Sequence, residues 1–313
     1  MMLVPPNPLR IQFGNNTVLV WCDDCALRQS LGQHFRHCQG EGASATVIYQ
    51  INEAEANHAW QLLRDGLLLY RGLSSARIVE RLMQDVTLML IKHCPDQLLF
   101  HAAGLADGDS GLILCGGSGS GKSTLAAWLI AIGFDYLTDE LVAVNPDQTA
   151  MSGLARPIVL KTGSTFVWQH WLDETAFQSI THFPDGTVWL DPEALRPDCV
   201  CTSAYPRLVF FPRYATGEPL ATSLLSTAES AFRLMQHLIN AKNLPNWGFA
   251  AIKRLVRQTT AYSLTYADVD LAANWIKQTT LAFQAKDVEA TLVTAQPVIN
   301  GTRINTDHTD VRR

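Results

Sequence analysis

The sequence predicts an α/β protein with a core built around a glycine-rich loop and a small α/β region ahead of it. Three observations carry that expectation. The block Leu98–Val144 alternates an apolar run, a glycine-rich loop, a helix-compatible run and a second apolar run. Upstream, the alternating stretches "TVLVWC" and "SATVIYQI" read as strands. The stretches "CALRQSLGQHF" and "SARIVERLMQDVTLMLIKHC" repeat apolar residues at helical spacing instead, and in the second Ile78, Val79, Leu82, Met83, Val86 and Leu90 form one stripe.

The elements follow in order. "HAWQLLRDGLLLYRG" reads as two strands turned at Asp65-Gly66, a dipeptide suited to hairpin turns. Residues 1–95 therefore form the small α/β region and residues 96–285 the core. Within the core, "PIVLK", "RLVFFPRY" and "AYSLTY" are further strand candidates. "AESAFRLMQHLINA" and "VDLAANWIKQTTLAF" are helix candidates. Residues 286–313, rich in Thr, Asn, Asp and Arg with little periodicity, read as a mobile tail.

Composition excludes several function classes. A chain of 313 residues, 47% hydrophobic and 17% charged, can hold one large core or two domains. Its net charge of -5 gives no global electrostatic case for nucleic acid or an anionic membrane, so phosphate binding must come from a local site. No window reaches the roughly 18 uninterrupted apolar residues of a membrane span, and Leu125–Phe134 reads as a buried helix. "MMLVPPNPLR" lacks the basic-then-apolar order of a secretory leader. Seven cysteines in a chain this long do not suggest a disulfide scaffold, and a reducing cytoplasm is the expected location.

The strongest chemical signal is "GLILCGGSGSGKST". An apolar strand, Leu112–Cys115, leads into Gly116-Gly117-Ser118-Gly119-Ser120-Gly121-Lys122-Ser123, which matches the phosphate-loop pattern, and a helix follows directly. Glycines let consecutive backbone N–H groups face inward, and the helix N-terminus adds partial positive charge. Lys122 can reach β and γ phosphates, the Ser123 hydroxyl can ligate Mg²⁺, and Thr124 either adds a phosphate contact or begins the helix. The expected ligands are a purine triphosphate and magnesium.

Asp139 and Glu140, in "YLTDE", stand seventeen and eighteen residues after Lys122 with one helix and a Gly133 turn between. That spacing suggests a sheet that doubles straight back and returns both carboxylates to the phosphate mouth; a polar strand-end turn is the other reading. His101 precedes Gly116 by fifteen residues. A hairpin of "HAAGLA" with "GLILCG" across "DGDSG" would bring it back to the loop.

The block "FHAAGLADGDSGLILCGGSGSGKSTLAAWLIAIGFDYLTDELVAV" resembles the catalytic core of HPr kinase and of the wider group of HPr-kinase-related proteins. The resemblance covers roughly Phe100–Val144 and extends more weakly through "ARPIVLKTGS" and "YPRLVFFPRY". It implies a mixed-sheet nucleotide-binding core like that of phosphoenolpyruvate carboxykinase, with ATP and Mg²⁺ as ligands. It further implies that Asp139 acts as base towards a serine hydroxyl, that His101 orients it, and that Glu140 joins Ser123 and Asp139 near the metal. The acceptor would be a protein or peptide. The family's Glu-Arg-Gly signature and its later Pro-x-Arg-Pro-Gly segment are absent, so the resemblance is to a related kinase rather than to HPr kinase itself. An ATP-binding regulatory protein without transfer activity, a small-molecule hydroxyl kinase and a homo-oligomer all stay open.

Two lesser constellations remain. Arg156 and Lys161 bracket "PIVL", where either can contact a phosphate or the acceptor. Cys22, Cys25, His34, His37 and Cys38 resemble a zinc ligand set, but their spacing is irregular and packing is the preferred reading.

Overall fold

The computed structural model describes residues 7–40, 45–54, 58–94, 96–145, 147, 150–172, 180–183 and 185–294. The first sheet comprises β1 (Leu9–Phe13), β2 (Asn16–Cys22), β3 (Val47–Ala54), β4 (Ala59–Arg64) and β5 (Leu67–Gly72), in that spatial order. Only β2 and β3 run parallel, because α1 (Cys25–His34) crosses between them. Asp65 and Gly66 both take positive φ, 50° and 81°, which fits the two-residue turn joining β4 to β5. The Ser74 hydroxyl caps α2 (Ser75–Lys92), whose buried stripe of Ile78, Val79, Leu82, Met83, Val86 and Leu90 is the one read from the sequence. Each such side chain contributes about 1.5–3 kcal/mol by leaving water.

The central sheet begins with β6 (Leu98–Asp107) and β7 (Ser110–Cys115), an antiparallel pair turned at Gly108. After β7 come α3 (Lys122–Ala131), β8 (Asp135–Thr138), β9 (Leu141–Asn145) and β10 (Ala150–Gly153). Strands β8 and β9 lie end to end along the same edge of β6. A separate three-stranded sheet follows, from β11 (Ile158–Leu160), β12 (Thr181–His182) and β13 (Val188–Leu190), with the short helices α4 (Thr165–Trp171) and α5 (Pro192–Leu195) beside it.

The chain then returns to the central sheet through β14 (Tyr205–Tyr214), β15 (Ala221–Leu224), α6 (Thr227–His237), α7 (Phe249–Gln258), β16 (Thr260–Tyr266) and α8 (Val269–Thr294). Its strand order is β10-β9-β6-β7-β14-β16-β15, with β8 also on β6. Strands β7, β14 and β16 are parallel and their neighbours antiparallel, so the protein is α/β with mixed sheets. Residues alternate between the faces: Leu112, Leu114 and Phe210 pack with Leu125 of α3 and Ala272 of α8, whereas Ile113, Cys115 and Val209 pack with Leu234 of α6 and Ile252 of α7.

Three details differ from expectation. Helix α8 runs to Thr294, past residue 286, so the tail does not start where composition suggested; residues 295–313 lie outside the described residues. Helix α6 stops at His237, short of the "LINA" that the pattern included, because Asn240 turns the chain onto β6. Helix α7 was not read from the sequence, although Ile252, Leu255 and Val256 have the spacing of one buried face. No described helix is long and apolar enough to cross a membrane.

Candidate active site

Residues 116–121 link the carboxyl end of β7 to the start of α3. Gly121 sits ahead of the helix at φ 88°, a left-handed conformation that costs a side-chain-bearing residue energy. A Cβ there would also collide with the Tyr266 hydroxyl, which donates to the Gly121 carbonyl at 3.2 Å. At Gly116 a Cβ would stand 2.5 Å from Ser120 Oγ and 3.3 Å from the Pro212 carbonyl. The glycines are therefore required by the loop's shape, at two positions that touch β14 and β16.

Lys122 opens α3 and is buried, and its Nζ reaches back to donate to Gly116 O at 2.6 Å and Gly117 O at 3.2 Å. Burial lowers its pKa, an effect that Asp139 opposes. Two further contacts rim the loop: Lys161 Nζ donates to Ser118 Oγ at 2.8 Å, and the Thr124 and Ser164 hydroxyls share a hydrogen bond of 2.6 Å.

The acidic pair fills the break between β8 and β9. Thr138 pairs with Gly104 of β6 and Leu141 with His101, leaving Asp139 and Glu140 in the kink between those pairs. Thr138 holds the kink. Its buried hydroxyl donates to Leu154 O at 2.9 Å and accepts from the Glu140 and Leu141 N–H groups, each at 3.2 Å. Gly153 lets β10 pass close by, since a Cβ there would lie 2.5 Å from Leu137 O.

Asp139 is 5% exposed, and its Oδ2 accepts from Val159 N–H at 3.4 Å. Its Oδ1 has no hydrogen-bond partner of ordinary geometry among the described residues. Burial raises the Asp139 pKa to about 6; the nearby Ser123 hydroxyl works against that rise and Glu140 adds to it. Glu140 behaves oppositely. Burial alone would raise its pKa, but His101 Nδ1 at 3.4 Å from Oε1 and Arg156 Nη2 at 2.8 Å from Oε2 draw it down to about 2. The partner given to His101 is thus Glu140, where the resemblance implied Asp139. Arg156 is buried and fixed to the same carboxylate, so of the two basic residues expected here it meets the acidic pair, while Lys161 meets the loop.

His101, Lys122, Ser123, Asp139, Glu140 and Lys161 line one cavity of about 800 Å³, and Arg156 stands behind it. It opens at the carboxyl ends of β7, β14 and β16, where open α/β sheets bind ligands. Its size suits a nucleotide. The far wall was not read from the sequence: Trp128, Phe166, Tyr214, Tyr266, Asp268 and Val269 line it. Trp128 donates to Asp270 Oδ1 at 3.2 Å, and its ring centroid lies 6.0 Å from that of Phe166. These residues come from separate elements with no local motif joining them. His237 is not part of that lining; burial, with Lys122 and His101 adding to it, lowers its pKa.

Two groups of side chains offer metal-ligating atoms. The Asp139 Oδ1 without a partner, next to Ser123, has the donor chemistry a hard divalent cation needs. Elsewhere His37, Asp191 and Glu193 bring ligand atoms within 4.8 Å of one another. The Arg36 guanidinium occupies that cluster, 2.8 Å from Asp191 and 2.5 Å from Glu193, and already supplies its positive charge. The zinc-like cysteine set does not assemble among the described residues: Cys38 Sγ donates to Ala155 O at 2.9 Å, Cys22 is buried and Cys25 is exposed.

No family model matches the chain. No curated protein matches it in sequence. Among solved structures it is similar to the Hpr(Ser) kinase/phosphatase from Coxiella burnetii, with a TM-score of 0.32 and 11% identity, over 62% of this chain and 97% of that one.

Proposed function

We propose that this chain is an ATP-dependent kinase that transfers the γ-phosphoryl group to a serine hydroxyl of a protein or peptide. One observation carries the reading: a buried carboxylate, Asp139, with a pKa near 6 and an oxygen lacking a partner, shares a cavity with Lys122 and Ser123 of a phosphate-loop sequence. In this reading residues 96–285 are the kinase core, of the mixed-sheet kind found in phosphoenolpyruvate carboxykinase and HPr kinase, and residues 1–95 are an accessory region.

The roles follow from the chemistry. Backbone N–H groups of the loop and the start of α3 cradle the phosphates. Lys122 leaves the Gly116 and Gly117 carbonyls to meet β and γ oxygens, exchanging neutral acceptors for charged ones. The acceptor oxygen forms a bond to the γ phosphorus as the bond to the β–γ bridging oxygen breaks, and ADP leaves. Asp139 takes the proton from the acceptor hydroxyl. A pKa near 6 keeps it ionised at neutral pH yet basic enough to accept, the compromise expected of a general base. His101 and Arg156 hold Glu140 ionised, and that charge in turn contributes to the rise at Asp139.

Ser123 and Glu140 would hold Mg²⁺ next to Asp139, whose free oxygen is left for the acceptor proton. Bound there, the metal neutralises charge on the phosphoryl oxygens.

Incubating the protein with ATP labelled in the γ-phosphate and a cell lysate, then identifying the labelled species by mass, tests the assignment. A labelled protein or peptide carrying phosphoserine supports it. Label recovered only as inorganic phosphate, or only in a small molecule, rejects it.

A further inference from the structure

Between Glu229 and Asp268 the chain contains no Asp or Glu, its longest such interval, yet it carries Arg233, Lys242, Lys253, Arg254 and Arg257. This contrasts with an overall charge of -5. The interval spans most of α6, all of α7 and the connection between them.

Topology sets where that connection lies. Strand β6 is antiparallel to β7, so its first residues stand beyond the carboxyl end of β7, on the side of the glycine-rich loop. The connection is fastened there. Ile239 N–H donates to Leu99 O at 2.9 Å, and the buried Asn240 side chain accepts from Leu99 N–H and donates to the Cys94 and Gln97 carbonyls. Helix α6 reaches it through Arg233 and His237, which both pack on Phe211, with the guanidinium 5.5 Å and the imidazole 6.3 Å from that ring. His237 is close enough to Lys122 and His101 for both to act on its protonation.

On this fixed mount the apolar side chains point outward. Trp247 is 60% exposed and Phe249 62%. Ile239 is exposed as well. Asn246 and Trp247 both take positive φ, 48° and 58°, an unfavourable conformation for such residues that presents Trp247 to solvent. Exposed aromatics among cations, on a connection fastened to the start of β6, have the composition of a recognition surface.

We infer that the α6–α7 connection docks the phosphoryl acceptor, and that it takes an acidic protein segment bearing large apolar side chains. The inference rests on the phosphotransfer reading for the word acceptor, but the docking itself does not. Lys242 and Lys253 are exposed and able to meet carboxylates, while Ile239, Trp247 and Phe249 offer apolar anchorage. A membrane or nucleic-acid surface would use the same residue types, but the adjacency to His101 and Lys122 through His237 favours a partner that must deliver a group to the cavity.

Fluorescence anisotropy tests the docking without chemistry, using a labelled serine peptide rich in Asp, Glu and Leu and a matched peptide with Lys replacing the acids. The wild-type protein should bind the acidic peptide at least about tenfold more tightly, with an affinity that falls as salt rises. The Lys242→Glu/Lys253→Glu protein should lose that preference, and Trp247→Ala/Phe249→Ala should weaken binding of the acidic peptide, both with ATP affinity unchanged. Equal affinity for the two peptides, or an unaltered preference in the charge-reversed protein, overturns the inference. So does flotation of the wild type with anionic phospholipid vesicles, or binding to a single-stranded oligonucleotide, in place of peptide binding. If the peptide binds as described and no label moves from ATP to any serine, the kinase reading fails and the docking surface stands.

Discussion

Asp139 and Glu140 are neighbours in the chain whose carboxyl groups titrate in opposite directions, the first pushed up to about 6 and the second drawn down to about 2. Asp139 is buried and Glu140 half-buried, and burial raises both, so burial alone cannot send them in opposite directions. Partners do: Glu140 faces His101 and Arg156, while Asp139 keeps one oxygen without a hydrogen-bond partner among the described residues. Divergent environments of this kind separate a proton-accepting group from a permanent charge.

For Asp139 the folded-state pKa exceeds the ordinary value of 3.8. The stability it contributes is therefore full below that value and lost as pH rises through about 6. Asp139→Asn should make the protein more stable than wild type at about pH 8, by up to about 3 kcal/mol, with little difference at about pH 3.5. Urea unfolding at the two pH values measures this. A wild type more stable than the variant at high pH would contradict the assigned environment.

For Glu140 the sign is reversed. Its folded-state pKa lies below the ordinary 4.5, so its contribution is present above that value and is lost as pH falls towards about 2. Its side chain is 34% exposed, and solvent screening limits the effect of Glu140→Gln to about 1 kcal/mol of destabilisation at neutral pH. The wild-type and variant stability curves should converge on acidification. A difference independent of pH would mean that the carboxylate's charge is not what stabilises.

Thr138→Val keeps shape but removes one hydroxyl that serves three backbone groups: Leu154 O, Glu140 N–H and Leu141 N–H. A loss of about 2–3 kcal/mol is expected. Because the kink presents both carboxylates, kcat should fall by about tenfold or more while the KM for ATP changes little. Equal effects on both constants would place the damage in the loop instead.

Gly121→Ala adds a Cβ at φ 88° and against the Tyr266 hydroxyl. The backbone strain costs about 1–2 kcal/mol by itself. Removing the hydroxyl with Tyr266→Phe should relieve the closest contact but neither the 3.2 Å contacts with the Tyr266 ring and Tyr214 Cβ nor the strain, so the two substitutions should couple by about 1 kcal/mol in ATP affinity. Strict additivity would show that the contact between these elements does not shape the loop.

Local order decided what could be read from the sequence. The loop, its helix and the hairpin returning His101 depend on residues close in the chain, and their patterns were legible. The acidic pair was legible through its distance from Lys122. Thr138 was not, because its role needs Leu154 on a separate segment. The Trp128, Phe166 and Tyr266 wall converges from α3, α4 and β16, and no spacing rule joins those elements. His101 was placed near the site but matched to the wrong carboxylate, since only the register of β6 against β9 decides which acid it faces. The start of the tail failed for another reason: residues 286–294, with Val288, Ala290, Leu292 and Val293 among them, continue the helix, and the polar composition belongs to the residues beyond.

The most direct measurement compares wild type and Asp139→Asn for γ-phosphoryl transfer from ATP, with ATP affinity determined on the same preparations. The kinase account predicts ATP affinity within about threefold of wild type and transfer reduced by about 100- to 10,000-fold. Transfer by Asp139→Asn at the wild-type rate, or loss of ATP binding with no separate effect on transfer, would contradict the role of Asp139 as the base.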